Sequence, residues 1–193
     1  MKKRVGILAL QGDFEAHAKA VERAGAEAVL VRTAEELDNV DGLVIPGGES
    51  TTMLKLISFM NLKEPLREFL EKKPVFGTCA GAILLAKDVT NPPQESFGVV
   101  DLTVERNAYG RQVDSRVATI QPGADFAERA GEGDVEAVFI RAPIIRRAGP
   151  AVRVLAQYEG DPVLVEQGRH LVATFHPELT QDSRVHKLFL GKL

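Results

Sequence analysis

The one cysteine of the chain, Cys79, lies in a pattern typical of a nucleophile. It stands at the centre of the sequence GTCAG at residues 77–81, with a short apolar run before it and a helical apolar segment after it. Gly77 and Gly81 remove side chains where a sharp strand-to-helix turn crowds the backbone. Such a turn exposes the sulfur at the carboxyl end of a sheet, and the N-terminus of the following helix favours the thiolate. A free cysteine is more often a buried core residue, but the flanking glycines favour a nucleophile here.

A nucleophilic cysteine needs a base, and His176 is the best placed of the four histidines. It ends an apolar run and is followed by Pro177 and Glu178. Residues i and i+2 of an extended segment share a face, and the proline keeps His176 out of the helical region. We therefore expect Glu178 to reach one nitrogen of His176 while the other nitrogen faces Cys79.

The remaining histidines are predicted to be structural. His17 falls in the first predicted helix, where we expect a surface or loop-facing residue, His170 opens a strand near a turn, and His186 lies in a closing helix. The histidines and the lone cysteine show no spacing typical of metal ligands. The sequence therefore implies neither a metal nor an organic cofactor.

A third element, the sequence PGGES at residues 46–50, follows another predicted strand. Its two adjacent glycines permit positive φ angles and let a substrate approach backbone N–H groups. A tight turn before a helix is the plain alternative. A phosphate loop is disfavoured because the Walker spacing and its lysine are absent, and no dinucleotide fingerprint follows the first strand.

Alternating strands and helices must position these residues. The predicted strands of the first half are 5–10, 28–31, 42–45 and 74–76. The predicted helices run from an Asp13 cap to residue 24 with Gly25 as the stop, from a capping box at Thr33 and Glu36, and over 53–59, 62–70 and 80–86. This order predicts an α/β fold in which a mostly parallel sheet is flanked by helices on both faces.

The second half differs in character. Residues 97–120 predict antiparallel strands with no clear helix, and further strands are predicted at 136–140, 152–158, 162–166 and 170–175. Gln167 and Gly168 form a plausible hairpin turn between the last two strands, and residues 182–190 predict a closing helix. We therefore expect an antiparallel portion in the second half of one domain that spans residues 1–193.

Composition excludes several classes of protein. The chain has 193 residues, 45% of them hydrophobic and 26% charged, as in globular proteins, and a net charge of -3. This charge argues against a general binder of nucleic acid or of acidic membranes, and no stretch approaches the ~20 apolar residues that span a bilayer. A single cysteine cannot form an internal disulfide, and the apolar run at 5–10 is too short for a signal peptide. These features favour a soluble protein of the cytoplasm.

The motifs at 46–50, 77–81 and 175–178 resemble the three signatures of triad (class I) glutamine amidotransferase domains. Finer motifs, namely LALQGDF at 8–14, RNAYGRQ at 106–112 and FIRAP at 139–143, are similar to the glutaminase subunits of pyridoxal 5'-phosphate synthase. The likeness runs from Val5 to about Thr180. One departure is Arg116, where an aromatic residue is expected, and it should affect packing more than catalysis. The resemblance implies a flavodoxin-like three-layer sandwich.

The resemblance also implies a reaction and the residues that carry it. Cys79 would attack the side-chain amide of L-glutamine to form a γ-glutamyl thioester, His176 would carry protons, and Glu178 would orient His176. Backbone N–H groups of Gly48 and Ala80 are the best candidates for the oxyanion hole. The family pattern places further residues against the glutamine, and these are Gly47, Gly48, Glu49, Arg106, Ile140 and Arg141.

The family partner is a separate synthase subunit, a (β/α)8 barrel that uses the ammonia to build pyridoxal 5'-phosphate within a large hetero-oligomer. Free ammonia would protonate in water, so an enclosed passage between docked subunits is expected, and the isolated chain is expected to be a poor glutaminase. Two alternatives remain open. One is a glutaminase or thiol hydrolase of the same superfamily that serves a different pathway. The other is a binding protein that has kept the scaffold, against which the complete set Cys79, His176 and Glu178 argues.

Overall fold

A computed structural model describes residues 2–108 and 115–193 of the chain. Within them, the strands are β1 (Arg4–Leu8), β2 (Glu27–Val31), β3 (Gly42–Ile45), β4 (Val75–Thr78), β5 (Ala86–Thr90), β6 (Val100–Glu105), β7 (Ser115–Ile120), β8 (Val135–Ile140), β9 (Ile144–Ala148), β10 (Arg153–Tyr158), β11 (Asp161–Gln167) and β12 (His170–Ala173). The helices are α1 (Phe14–Ala24), α2 (Ala34–Asp38), α3 (Ser50–Phe59), α4 (Lys63–Lys72), α5 (Ala80–Leu85), α6 (Ala124–Ala130) and α7 (Arg184–Leu190), with a 3₁₀ turn at Pro177–Leu179.

The main sheet has seven strands in the order β10-β11-β12-β4-β3-β1-β2. Strands β12, β4, β3, β1 and β2 are parallel, whereas β11 and β10 continue the sheet antiparallel at one edge. The predicted α/β fold, with its parallel sheet and its antiparallel portion, is confirmed. Because parallel strands end at the same edge, the segments that follow β3, β4 and β12 meet there.

Helices cover both faces of this sheet, as the continuous apolar strands predict. Successive residues of β1 point to opposite faces, so Ile7 packs in one buried cluster and Leu8 in the other. The cluster around Leu8 includes Met53 of α3 and Phe69 of α4. The cluster around Ile7 includes Phe189 of α7. The strand ends are thus held between two packed layers.

The second half is more elaborate than the sequence predicts. Strands β5 and β9 and helix α6 were not predicted, and β6 pairs in parallel with β5 and antiparallel with β9. Strand β7 pairs antiparallel with β8 in a separate ribbon. Residues 97–120 were predicted to form antiparallel strands. This prediction is confirmed for β6, which pairs antiparallel with β9, and for β7, which pairs antiparallel with β8. It misses the parallel pairing of β6 with β5. Residues 109–112 of the RNAYGRQ motif lie outside the described residues.

Local signals fix several helix ends. The capping box of α2 is present, since the Thr33 hydroxyl accepts the Glu36 N–H at 3.2 Å and the Glu36 carboxylate accepts the Thr33 N–H at 3.0 Å. Gly25 ends α1 in the left-handed conformation, as predicted. Asp13 stands at the start of α1, but its side chain makes no capping hydrogen bond, which corrects that part of the prediction.

Candidate active site

Cys79 sits on a sharp turn between β4 and α5. Its backbone has φ 49° and ψ -103°, a conformation that residues with a side chain rarely adopt. The Cys79 N–H donates to the carbonyl of Ala173 in β12 at 2.9 Å, which anchors the turn to the neighbouring strand. A Cβ on Gly77 would lie 2.6 Å from the Gly81 carbonyl oxygen, and one on Gly81 would overlap the Ile45 carbonyl oxygen. The two glycines therefore allow the close approach that the turn requires.

His176 reaches the same edge because β12 runs parallel to β4, with Ala173 opposite Thr78. The His176 N–H donates to the Val138 carbonyl of β8 at 2.8 Å, which fixes the backbone just after the strand. Its side-chain Nδ1 lies 2.7 Å from Oε1 of Glu178, whose side chain is completely buried. This contact leaves Nε2 as the nitrogen available to Cys79. The structure thus brings together the three residues that the sequence singles out.

The electrostatics of His176 favour its charged form. Burial opposes the charge, but hydrogen bonds to Cys79 and Glu178 and their charges outweigh burial and raise the pKa of His176 to about 10. An imidazolium at neutral pH stabilises an adjacent thiolate. The arrangement therefore places an imidazolium beside the Cys79 sulfur, a setting in which a thiol can be activated for attack on a carbonyl carbon.

Cys79 and His176 stand at the wall of an open cleft of about 420 Å³. All the residues expected to contact glutamine, and both expected oxyanion-hole residues, line it together with Cys79 and His176. Further lining residues were not predicted to bind substrate, and these are Gln11, Gly12, Asp13, Ser50, Ile83 and Asn107. Glu178 lies behind His176 and does not line the cleft, as an orienting carboxylate should.

The loop after β3 forms one wall of the cleft. A Cβ on Gly47 would lie 2.5 Å from His176 Cε1, so a glycine is needed for the imidazole to fit. The Glu49 carboxylate accepts the backbone N–H groups of Thr51 at 3.0 Å and Thr52 at 2.7 Å, and it thereby caps α3. Burial opposes its charge, but these bonds and the Thr52 hydroxyl lower the pKa of Glu49 to about 2. The Glu49 carboxylate therefore caps α3, and the same residue lines the cleft.

Two arginines bring positive charge to the cleft. The Arg106 guanidinium donates to the Thr51 hydroxyl at 2.9 Å and lies 3.6 Å from the Glu49 carboxylate. Arg141 is exposed, has φ 43°, and makes no ion pair with any residue that the structure describes. The adjacent Ile140 carbonyl lies 3.9 Å from Cys79 Sγ. Both arginines line the same cleft as Cys79.

One histidine lies where the sequence did not predict it. His17 was expected at the surface or against a loop, yet it is completely buried. Its Nε2 lies 3.0 Å from Thr78 Oγ1 and 3.3 Å from Glu178 Oε2. His186 is also buried, and His170 is buried at the other end of β12. The burial of His17 could have been predicted from its helical spacing, which places it on the same face of α1 as Ala20 and Val21.

Arg116, the departure from the family pattern, lies at a distance from the triad. Its guanidinium stands over the ring of Tyr158 with 5.0 Å to the centroid, and it lies 3.4 Å from the Glu159 carboxylate. These contacts are consistent with a role in packing. Within the described ranges, no cluster of three metal-ligating side chains occurs, and no helix is long and apolar enough to cross a membrane.

Comparison with known proteins identifies the family. The model of the SNO glutamine amidotransferase family matches residues 7–193. The chain belongs to this family. It is 66% identical over 99% of its length to the whole pyridoxal 5'-phosphate synthase subunit PdxT of Solibacter usitatus, and 50% identical to PdxT of Thermotoga neapolitana over 97% of each chain. The resemblance stated from the motifs is thus confirmed at the level of the family and of the PdxT relatives.

Solved structures agree. A crystal structure of a glutamine amidotransferase superposes with a TM-score of 0.88 at 46% identity and covers 97% of both chains. The PurLQS structure from Thermotoga maritima superposes with a TM-score of 0.75 at 16% identity, which shows the shared fold alone. The expected glutamine amidotransferase architecture is therefore confirmed.

Proposed function

We propose that the chain, as one glutaminase domain spanning residues 1–193, hydrolyses L-glutamine through Cys79, His176 and Glu178 and passes the ammonia to a pyridoxal 5'-phosphate synthase subunit. The observation that carries this proposal is the strained cysteine turn beside a histidine whose Nδ1 is held by a buried carboxylate. Family membership supplies the substrate, and the names of the PdxT relatives supply the synthase. We place the reaction in the cytoplasm.

The Cys79 thiolate attacks the side-chain amide carbon of glutamine, and the carbonyl oxygen takes the negative charge. As the tetrahedral intermediate collapses, the C–N bond breaks and the His176 imidazolium gives its proton to the leaving ammonia. The product is a γ-glutamyl thioester and a neutral His176. The neutral imidazole then removes a proton from water, the water oxygen attacks the thioester, and glutamate leaves as Cys79 regains its thiolate.

The oxyanion needs donors on the far side of the carbonyl. Helix α5 begins at Ala80, so the Ala80 N–H belongs to the first turn, whose N–H groups have no partner within the helix. The Gly48 N–H, on the opposite loop, is the second donor that we propose. Each such donor is typically worth roughly 3 kcal/mol in the transition state.

Glutamine is held by the groups that line the rest of the cleft. We propose that Arg141 and Arg106 bind its α-carboxylate and that Gly47, Gly48, Glu49 and the Ile140 backbone contact the remainder. Arg141 is the better anchor because Arg106 is already shared with Thr51 and Glu49. A carboxylate bound by a guanidinium gains two parallel hydrogen bonds where geometry allows.

The decisive experiment is the substitution Cys79→Ala in the purified chain mixed with its synthase subunit. Hydrolysis of glutamine, measured as glutamate released, should disappear while the melting temperature stays within a few degrees of the parent. The parent chain is the positive control, and Arg116→Tyr, outside the cleft, is the matched variant that should keep its turnover. Turnover by Cys79→Ala would exclude the thioester mechanism.

We further propose that the partner is a (β/α)8 barrel whose docking, within a large hetero-oligomer, completes the oxyanion hole. Gly48 has φ 141° and a Cβ there would lie 2.6 Å from Gln11 Oε1, so the present loop requires glycine at this position. A peptide between two glycines also has the conformational freedom to turn, and we propose that it does so on docking. Synthase should raise turnover about a hundredfold in the parent and far less in Gly48→Ala. Gly160→Ala, also at positive φ but with nothing within 4 Å, is the matched control. Equal turnover with and without synthase would refute this activation.

A further inference from the structure

Behind the proposed triad lies a second line of buried polar side chains that the mechanism does not use. His17 of α1, His186 of α7 and Thr78 of β4 are each no more than 1% exposed. His17 Nδ1 lies 3.1 Å from His186 Nε2, and His17 Nε2 lies 3.0 Å from Thr78 Oγ1. The same Nε2 lies 3.3 Å from Glu178 Oε2, the carboxylate oxygen that His176 does not use. The line therefore ends on the orienting residue of the triad.

Hydrogen-bond satisfaction selects one set of tautomers for this line. Within the described part of the chain, His186 Nδ1 is buried without a partner. A buried N–H without an acceptor is costly, whereas a buried nitrogen lone pair costs less. His186 therefore carries its proton on Nε2 and donates it to His17 Nδ1. His17 must then carry its own proton on Nε2, the nitrogen that faces Thr78 and Glu178.

The opposite tautomer of His17, with its proton on Nδ1, is unfavourable for both His186 and Glu178. A proton on His17 Nδ1 would leave an unpaired N–H at His186 Nδ1. It would also turn the bare His17 Nε2 lone pair toward Glu178 Oε2, which has no hydrogen-bond partner among the described residues. The chosen assignment places the positive end of an N–H dipole 3.3 Å from that oxygen instead.

We infer that His17 is a positioning residue, which holds the Glu178 carboxylate in the orientation that keeps Oε1 on His176, and that His186 fixes the tautomer in which His17 does so. This inference rests on the proposed roles of Cys79, His176 and Glu178. His17 does not line the cleft, so we place its effect on the reaction in its contact with Glu178.

Neutral imidazoles suit this task. Burial, followed by the nearby His186 and His176, lowers the pKa of His17 well below its usual value, and burial together with Arg23 lowers the pKa of His186 to about 3. Both rings are therefore uncharged at neutral pH. A neutral N–H orients the carboxylate without cancelling its charge, so the charge remains available to the His176 imidazolium.

The test uses the thiol itself, because Cys79 is the one cysteine in the sequence. The rate of alkylation by iodoacetamide is measured against pH on the full chain, and its midpoint reports where the thiolate forms. His17→Phe should raise this midpoint above that of the parent chain, because a misplaced Glu178 no longer supports the His176 imidazolium that stabilises the thiolate. In the presence of synthase, kcat should fall about tenfold with KM little changed, the size of loss typical for an outer partner of a functional histidine.

Two variants separate positioning from packing. His17→Gln keeps an N–H at the reach of Nε2 and should bring the midpoint most of the way back to that of the parent chain. His170→Phe replaces another buried histidine at the opposite end of β12 and should leave the midpoint unchanged. If His17→Phe does not fold, His186→Phe carries the test, since it removes the proton that fixes the His17 tautomer and should move the midpoint in the same direction.

An unchanged midpoint in the folded His17→Phe or His186→Phe variant would overturn the inference. Failure of His17→Gln to restore the midpoint would also overturn it, because packing alone would then explain the effect. A failure of the triad itself looks different. In that case the parent chain would already alkylate with the midpoint of a free cysteine.

Discussion

Two carboxylates, Glu178 and Glu166, are buried among the residues that the structure describes, and their neighbours differ in kind. Glu166 lies 2.6 Å from both Arg129 and Lys192, which are basic side chains. Among the described residues, the ion-pair partners of Glu178 are imidazoles, His176 at 2.7 Å and His17 at 3.3 Å.

The difference shows how one residue type serves two purposes. Burial opposes the charge of Glu166, but the bonds from Arg129 and Lys192 outweigh burial and lower its pKa to about 2, so its charge is fixed and neutralised. The charge of Glu178 faces a group that must gain and lose a proton in each turnover. A carboxylate matched by fixed cations stabilises the fold, whereas one matched by imidazoles can support a change of protonation.

The largest effect that this comparison predicts is in His176→Asn. Loss of the imidazole removes the base and leaves Glu178 without the partner it orients, so kcat should fall about 10⁵-fold or more, close to the loss in Cys79→Ala. Turnover of glutamine in the presence of synthase measures the effect. If His170→Asn abolished turnover while His176→Asn did not, the base would be a different histidine.

Glu178→Gln should have the second largest effect, about 10³- to 10⁴-fold in kcat, because an orienting carboxylate usually matters less than the base. The substitution keeps the shape but removes the charge that raises the pKa of His176. The pH profile of Cys79 alkylation should accordingly shift to higher pH than in the parent chain. Glu166→Gln in the same assays should stay within about twofold of the parent. Equal losses of kcat in Glu178→Gln and Glu166→Gln would contradict the difference in role that we assign to the two carboxylates.

The sequence predicted the contact of Glu178 with His176, but it did not predict the contacts of Glu166. Turns and strand ends are determined by residues that are close in the sequence. The turn at Cys79, with its two flanking glycines, and the contact of His176 with Glu178 could therefore be predicted from short spacings. The partner of Glu166 is Arg129 of α6, a helix that the sequence did not predict. Its seven residues include one fully buried apolar side chain, Phe126, so the apolar periodicity was too short to detect.

The position of His17 shows a second limit. A histidine on a predicted helix is usually placed toward water, and nothing nearby in the sequence marks Glu178 and His186 as neighbours. These contacts join positions 161 and 169 residues apart in the chain, so only the packing of α1 against α7 and the 3₁₀ turn reveals them.

The smallest effect on activity, and the clearest effect on stability, is expected from Glu166→Gln. The folded-state pKa of Glu166 lies at about 2, below its ordinary value of 4.5. The group therefore contributes stability that is fully present above about pH 4.5 and is lost as the pH falls through about 2. At pH 7 the variant should unfold with about 1–3 kcal/mol less free energy, a discounted figure because the Arg129 side chain is 36% exposed and water replaces part of the interaction.

Urea unfolding of parent and variant at a series of pH values measures this difference. The gap between them should be widest near pH 7 and should close as the pH approaches 2. Glu64→Gln, whose carboxylate is 74% exposed and lies 3.8 Å from Arg67, is the matched control and should change stability by less than about 0.5 kcal/mol at every pH. A gap that stayed constant with pH would mean that Glu166 stabilises the chain through packing, and the contrast with Glu178 would then rest on activity alone.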